Sequence, residues 1–175
     1  MQGIDSVLLI SSSDFNDRIG QHKNVIDAAK AAGVQHIFYT GVAIKNIETS
    51  SLKPLLGDHF ETEEHIKQSG LTYTFLRNSL YADVVPMFIG ANVLETGVFF
   101  PAGEGKVAFA TRNDLAKAIA KIVASNGHEN KTYHLTGSQA HSFSEIASYL
   151  SELSGKEVPY ISPSSADFEN ALKGF

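Results

Sequence analysis

Apolar residues in this chain gather into short strand-like runs, each closing on small polar residues. Val7-Leu8-Leu9-Ile10 runs into Ser11-Ser12-Ser13, His36-Ile37-Phe38-Tyr39 into Thr40-Gly41, and Leu71 to Arg77 into Asn78-Ser79. Near-continuous runs of this length predict parallel strands, the first of them covered on both faces. Between the first two runs, Val25, Ile26, Ala29 and Ala32 recur at helical spacing over residues 21–32, and Gly33 stops the helix. A second helix is expected over 58–69, with Asp58 as N-cap and Gly70 as terminator. Residues 14–20 read as a polar loop. Residues 41–57 read as a longer one, because Ser50, Ser51 and Pro54 oppose regular structure. Strand, helix, strand, helix, strand with short connections predicts a parallel sheet with right-handed crossovers.

The second half is less regular. A helix is expected over 81–94, then short strands at 97–101 and 106–110 flanking a turn at Gly103-Glu104-Gly105. A helix follows over 113–124, with Asp114 in its first turn facing the helix dipole. Residues 132–137 predict a strand, and Ser142 with Glu145 have capping-box spacing. A last short strand is expected at 157–161. Residues 166–175 read as an amphipathic helix cut short, and Met1-Gln2-Gly3 leads almost at once into a strand. Both ends have the character expected of a fragment. No internal repeat or low-complexity tract is evident.

Composition narrows the function classes. The chain has 175 residues, 43% of them hydrophobic, enough for a real core. Its formal charge is −5 with no block of Lys or Arg, which argues against a nucleic-acid partner. There is no cysteine, which excludes disulfides, thiolate metal sites and cysteine nucleophiles. No apolar run reaches the roughly 20 residues of a membrane span, and the N-terminus lacks a signal-peptide pattern. The expected location is the cytoplasm, with no membrane partner.

The candidate chemistry lies at the strand ends. Ser11 and Ser12, Thr40 and Gly41, and Arg77 with Asn78 would line the carboxyl edge of the sheet, where open α/β folds bind ligands. Any one of them reads as an ordinary cap or turn residue; three successive strand ends favour a ligand crevice. His59 and Glu63 share a helix face, and His59 could donate a proton or a hydrogen bond to a substrate oxygen. Its plainer reading is a surface histidine near a helix cap. His59 and His65 are six apart and point to different sides of a helix, so no metal site is expected. Arg77 could border the crevice or pair with a helix carboxylate. Tyr39 and Tyr81 could offer phenols or simply pack. Arg112 could reach a cofactor phosphate or pair with Asp114. Ser11-Ser12-Ser13 lacks the G-x-S-x-G frame of a hydrolase nucleophile.

These segments together resemble the NmrA-like, atypical short-chain dehydrogenase/reductase family, in its NAD(P)H:quinone oxidoreductase and triphenylmethane reductase branch. The likeness rests on residues 8–13, 21–34, 58–63, 73–78 and 110–114, and extends over essentially the whole chain. It implies a Rossmann-like α/β fold whose glycine-rich phosphate loop and first βα units would precede Met1. Residues 1–80 would be the C-terminal part of the dinucleotide-binding domain. Residues 81–175 would be mostly a small α/β substrate lobe, with about 106–137 returning to the sheet. The resemblance implies NADPH or NADH as cofactor, a quinone-like small-molecule acceptor, and leaves a homodimer open. It places Ile10, Ser11, Tyr39, Thr40, Gly41, Arg77, Asn78, Ser79 and Arg112 at the cofactor, and His59, Asn78 and Tyr81 in catalysis. The family's Tyr-x-x-x-Lys positions hold Leu55 and His59, so its usual tyrosine acid and lysine are absent. The alternatives are a dinucleotide-binding redox sensor without turnover, or an inactive fragment of such a protein.

Overall fold

The computed structural model describes residues 1, 3–14 and 16–173. The chain divides into two units, Met1–Ser79 with Asn113–Thr136, and Leu80–Arg112 with Gly137–Phe175. The start of the N-terminal run at Gln2 and the end of the final helix at Gly174 and Phe175 lie outside the described residues.

The first unit carries the parallel sheet that the apolar pattern predicts, in the Rossmann-like form that the resemblance implies. Strands β1 (Ser6–Leu9), β2 (His36–Val42), β3 (Thr72–Asn78) and β6 (Lys131–Leu135) form one parallel sheet in the order β1-β2-β3-β6. Helices α1 (Arg18–Ala31) and α2 (Lys53–Ser69) connect its first three strands. Side chains alternate between the faces, as the pleat requires. Ile37, Tyr39 and Phe75 join Ile26 and Ala29 of α1 and Ile66 of α2 in one core cluster. Phe38 and Leu76 pack with Ile119 of α5 (Arg112–Val123) on the opposite face. That second face explains one departure from expectation. β1 is not covered on both sides: Leu9 is buried, but Leu8 is 36% and Ile10 69% exposed. The α5 cluster reaches β2, β3 and β6 but contains no residue of β1.

Helices α1 and α2 start earlier than expected. In α1 the Gln21 amide already closes a turn on the Asp17 carbonyl at 3.1 Å. In α2, Pro54 sits in the first turn, where its missing N–H removes no helical bond. A residue expected to oppose the helix therefore starts it, and Asp58 lies inside the helix rather than capping it.

The second unit carries α3 (Val85–Ile89), α4 (Val93–Thr96), β4 (Val98–Phe99), β5 (Lys106–Val107), β7 (His141–Ser142), α6 (Phe143–Ser154), β8 (Tyr160–Ile161) and α7 (Ser165–Leu172). The single helix expected over 81–94 is a 3₁₀ turn followed by two short helices. The two short strands do not face each other across the glycine turn. β4 pairs in parallel with β8, and β5 pairs antiparallel with β7. The capping box forms: the Ser142 hydroxyl accepts from the Glu145 amide at 3.1 Å, and the Glu145 carboxylate accepts from the Ser142 amide at 2.8 Å. Val93, Val98, Phe143, Ala147 and Val158 make the core of this unit. Among the described residues no helix is long and apolar enough to cross a membrane.

Gly97 is required where β4 meets β8. Its φ is +77°, and an added Cβ would lie 2.7 Å from the Pro159 carbonyl oxygen. Gly97→Ala should cost about 1–3 kcal/mol, read as a lower urea midpoint of the full chain. An unchanged midpoint would show that this crossing tolerates a side chain.

Candidate functional site

The parallel register puts the predicted strand ends side by side. Leu9 stands opposite Tyr39, Thr40 opposite Leu76, Gly41 opposite Arg77 and Val42 opposite Asn78. Ser11, Thr40, Gly41, Asn78 and Ser79 therefore share the carboxyl edge of one sheet, with Ile10 exposed beside them. Beyond its last ladder partner, the β1 chain is held by side chains. The Ser11 amide donates to Thr40 Oγ1 at 2.9 Å, and the Ser12 amide donates to His22 Nε2 at 3.0 Å. The Ser79 amide donates to the Leu135 carbonyl at 2.9 Å, continuing the pairing of β3 with β6.

The His22 contact begins a buried relay whose direction is set at both ends. A backbone amide can only donate, so Nε2 is an acceptor and the ring proton is on Nδ1. Nδ1–H then donates to Thr62 Oγ1 at 2.9 Å, and the Thr62 hydroxyl donates to the Asp58 carbonyl at 2.7 Å. The carbonyl can only accept, so each polar atom along the path has its role fixed. His22 is 1% and Thr62 0% exposed. Burial pushes the His22 pKa down, Arg18 adds to the shift and Asp58 opposes it.

A second pair sits on the same face. Tyr39 Oη lies 2.9 Å from His59 Nδ1. Burial raises the Tyr39 phenol to about 12. Burial, and then Arg18 and His22, pull His59 down to about 4. Both groups are neutral at neutral pH. Between about pH 4 and its ordinary 6.5 the unfolded chain takes up a proton that the folded ring refuses. Its contribution to stability is complete above pH 6.5 and fades as pH falls toward 4.

Arg77 takes the plainer of its two expected settings. Its guanidinium binds the Glu63 carboxylate through both oxygens, at 2.9 and 2.5 Å, and lies 4.9 Å over the Phe60 ring. Gly41 makes the space, since an added Cβ there would lie 3.1 Å from Glu63 Oε1. The pair neutralises the only buried carboxylate among the described residues of this unit, leaving a rim of hydroxyls, amides and uncharged rings.

The remaining predicted residues belong to the second unit. There the Arg112 guanidinium stacks 4.8 Å over the Tyr81 ring, and the Arg112 amide donates to Asp83 at 2.8 Å. His65 turns away from His59 and pairs with Asp27 at 2.9 Å. Among the described residues no group of three or more His, Cys, Asp or Glu is arranged to hold a metal. A cavity of about 390 Å³ between α1, α2 and the loop after β2 is lined by Lys23, Ile47, Phe60 and His65, and shares no residue with the rim. The reading of the sequence missed His22 and Thr62. Their signal was spacing: His22 is four residues before Ile26, and Thr62 four before Ile66, on the buried stripes of their helices.

The sequence profile of the NmrA-like family matches residues 1–173. The chain is 46% identical over 174 residues to quinone oxidoreductase 2 of Escherichia coli (strain K12), covering 99% of this chain and 59% of that protein. A crystal structure of an NADPH-dependent quinone oxidoreductase from Escherichia coli, complexed with NADPH, superposes with a TM-score of 0.90 at 43% identity, covering 99% of this chain and 60% of that one. The Citrobacter sp. triphenylmethane reductase complexed with NADP(H) gives 0.85 at 40% identity, covering 99% and 61%. The chain thus spans about three-fifths of the length of these relatives.

The Glu63–Arg77 pair should behave as a coupled unit. Glu63→Ala should destabilise the chain by about 3 kcal/mol, because it strands a partly buried guanidinium. Glu63→Leu combined with Arg77→Met should recover most of that loss in chemical denaturation. A double variant as unstable as the sum of the singles would mean that the pair is not coupled.

Proposed function

From this chain's place in the NmrA-like family, to which it belongs, we propose that it is an NAD(P)H-dependent oxidoreductase of the quinone-oxidoreductase type. It passes hydride to a quinone-like or other conjugated small-molecule acceptor, in the cytoplasm. The observation that carries the reading is the convergence of three parallel strand ends on one uncharged rim, tied by the Ser11–Thr40 and Ser12–His22 hydrogen bonds.

The donor set suits the uncharged part of a dinucleotide. The Ser11 and Ser12 amides are used internally, so this rim is not a phosphate cradle. The hydroxyls of Ser11, Thr40 and Ser79 and the amide of Asn78 suit ribose hydroxyls and a carboxamide, and Gly41 lets backbone approach closely. The nicotinamide, when bound, supplies the hydride. The chain's own contribution is positioning and hydrogen bonding. In the tautomer in which His59 Nδ1 accepts from the Tyr39 hydroxyl, the proton of the neutral imidazole is on Nε2. From there it can donate to an acceptor oxygen as negative charge develops. Arg77 supports this arrangement from the Glu63 side. Tyr81 and Arg112 are the candidates that the second unit offers, for the acceptor and the cofactor respectively.

A sensor without turnover is the competing reading, favoured by the leucine at position 55 where the family's tyrosine acid would stand. NADPH oxidation by the full chain with simple quinones separates the two. Turnover is expected, with kcat at saturating cofactor showing no acid limb near pH 6.5, because the His59 ring stays neutral down to about 4. His59→Ala should lower kcat about a hundredfold. Binding of NADPH without any quinone-dependent oxidation would replace the reductase by the sensor.

A further inference from the structure

We propose that His22 is the positioning residue of the dinucleotide rim: the neutral ring clamps the Ser12 amide and so fixes the Ser11–Ser12 segment that borders the cofactor. The inference rests on the functional reading above and adds a residue which that reading does not contain. His22 does not touch the rim's open side, being 1% exposed; it acts through the backbone it holds.

Donors and acceptors at the end of β1 assign this role. Beyond Leu9 the β1 chain has no ladder partner in the strand register, yet the amides of Ser11 and Ser12 must still be satisfied. Thr40 takes the Ser11 amide and His22 takes the Ser12 amide. The His22 ring is itself fixed by Thr62, whose hydroxyl is fixed by the Asp58 carbonyl. The clamp therefore runs from α1 and α2 to the end of β1 with no rotational choice left. Nε2 can accept from Ser12 only while it carries no proton. A protonated ring would set N–H against N–H and release the segment.

The groups around the ring favour the neutral form on balance. Arg18 lies on the same helix; Asp58, His59 and Thr62 face it from α2; the Tyr39 ring edge meets it from β2, with centroids 5.5 Å apart. Burial and Arg18 disfavour the cation, while Asp58 favours it. The clamp is complete above the ordinary histidine range and weakens as pH falls below it.

The test is NADPH affinity of the full chain, read by fluorescence titration from pH 8 to pH 5, with circular dichroism reporting the fold at each point. Wild type should bind more weakly as pH drops. His22→Leu, which removes the acceptor, should weaken binding about tenfold at pH 7.5. His22→Gln restores an acceptor that does not titrate. It should recover most of that loss and flatten the pH dependence, which a merely structural role would not do. Should His22→Leu fail to fold, Thr62→Val, which removes the partner of Nδ1–H, should show the weaker binding instead. The ¹⁵N shifts of the His22 ring should report an unprotonated Nε2 at pH 7.5. Wild-type binding with unchanged affinity in these variants, or a protonated Nε2, overturns the clamp alone. No NADPH binding by wild type overturns the functional reading, and the clamp's role with it.

Discussion

A parallel strand that leaves its ladder while its neighbour runs on must find other acceptors for its amides, and this constraint organises the first unit. β1 pairs with β2 only through Leu9, and the amides of Ser11 and Ser12 beyond it are met by side chains, from Thr40 on β2 and His22 on α1. Those two contacts turn a loose strand end into a fixed edge. They also determine what the edge can bind. Amides directed inward leave hydroxyls to meet a ligand, so the rim suits the sugar and ring portions of a dinucleotide rather than its phosphates.

The electrostatics follow the same logic. A buried carboxylate near the rim would repel a hydride donor's phosphates and any developing negative charge on an acceptor. Glu63 is instead held by Arg77, in a space that exists because residue 41 is glycine. Desolvation disfavours the charged form of buried His22 and half-buried His59, and the tautomer of His22 is set by backbone atoms at both ends of its relay. The result is a neutral edge above a fixed ion pair, an arrangement in which hydrogen bonds are strong because little competes with them.

Much of the fold was legible in the residues, for a definite reason. Parallel strands covered by helices are apolar along their length, so Ile37 to Tyr39 and Leu71 to Leu76 announce themselves. Local punctuation was less informative. Pro54 breaks a helix in its middle but starts one in its first turn, and spacing alone does not distinguish the two. The exposure of Leu8 and Ile10 depends on where α5 packs, a long-range fact that no window of β1 contains. At the site, the strand-end hydroxyls could be found because they follow apolar runs. His22, Thr62 and the Glu63–Arg77 pair depend on which helix faces meet which strands. Their helical phase was readable, but their partners were not. Arg77 illustrates the limit: both its expected settings were reasonable, and only the register of Gly41 against it favours the carboxylate.

The central claim is that a dinucleotide binds at the carboxyl edge of the β1-β2-β3 sheet. An amide-resolved NMR titration of the ¹⁵N-labelled full chain with NADPH tests it most directly. The account predicts saturable shifts at Ser11, Thr40, Gly41, Asn78 and Ser79 that share one binding curve. Shifts confined to the cavity around Lys23, Phe60 and His65, with the rim silent, would contradict it.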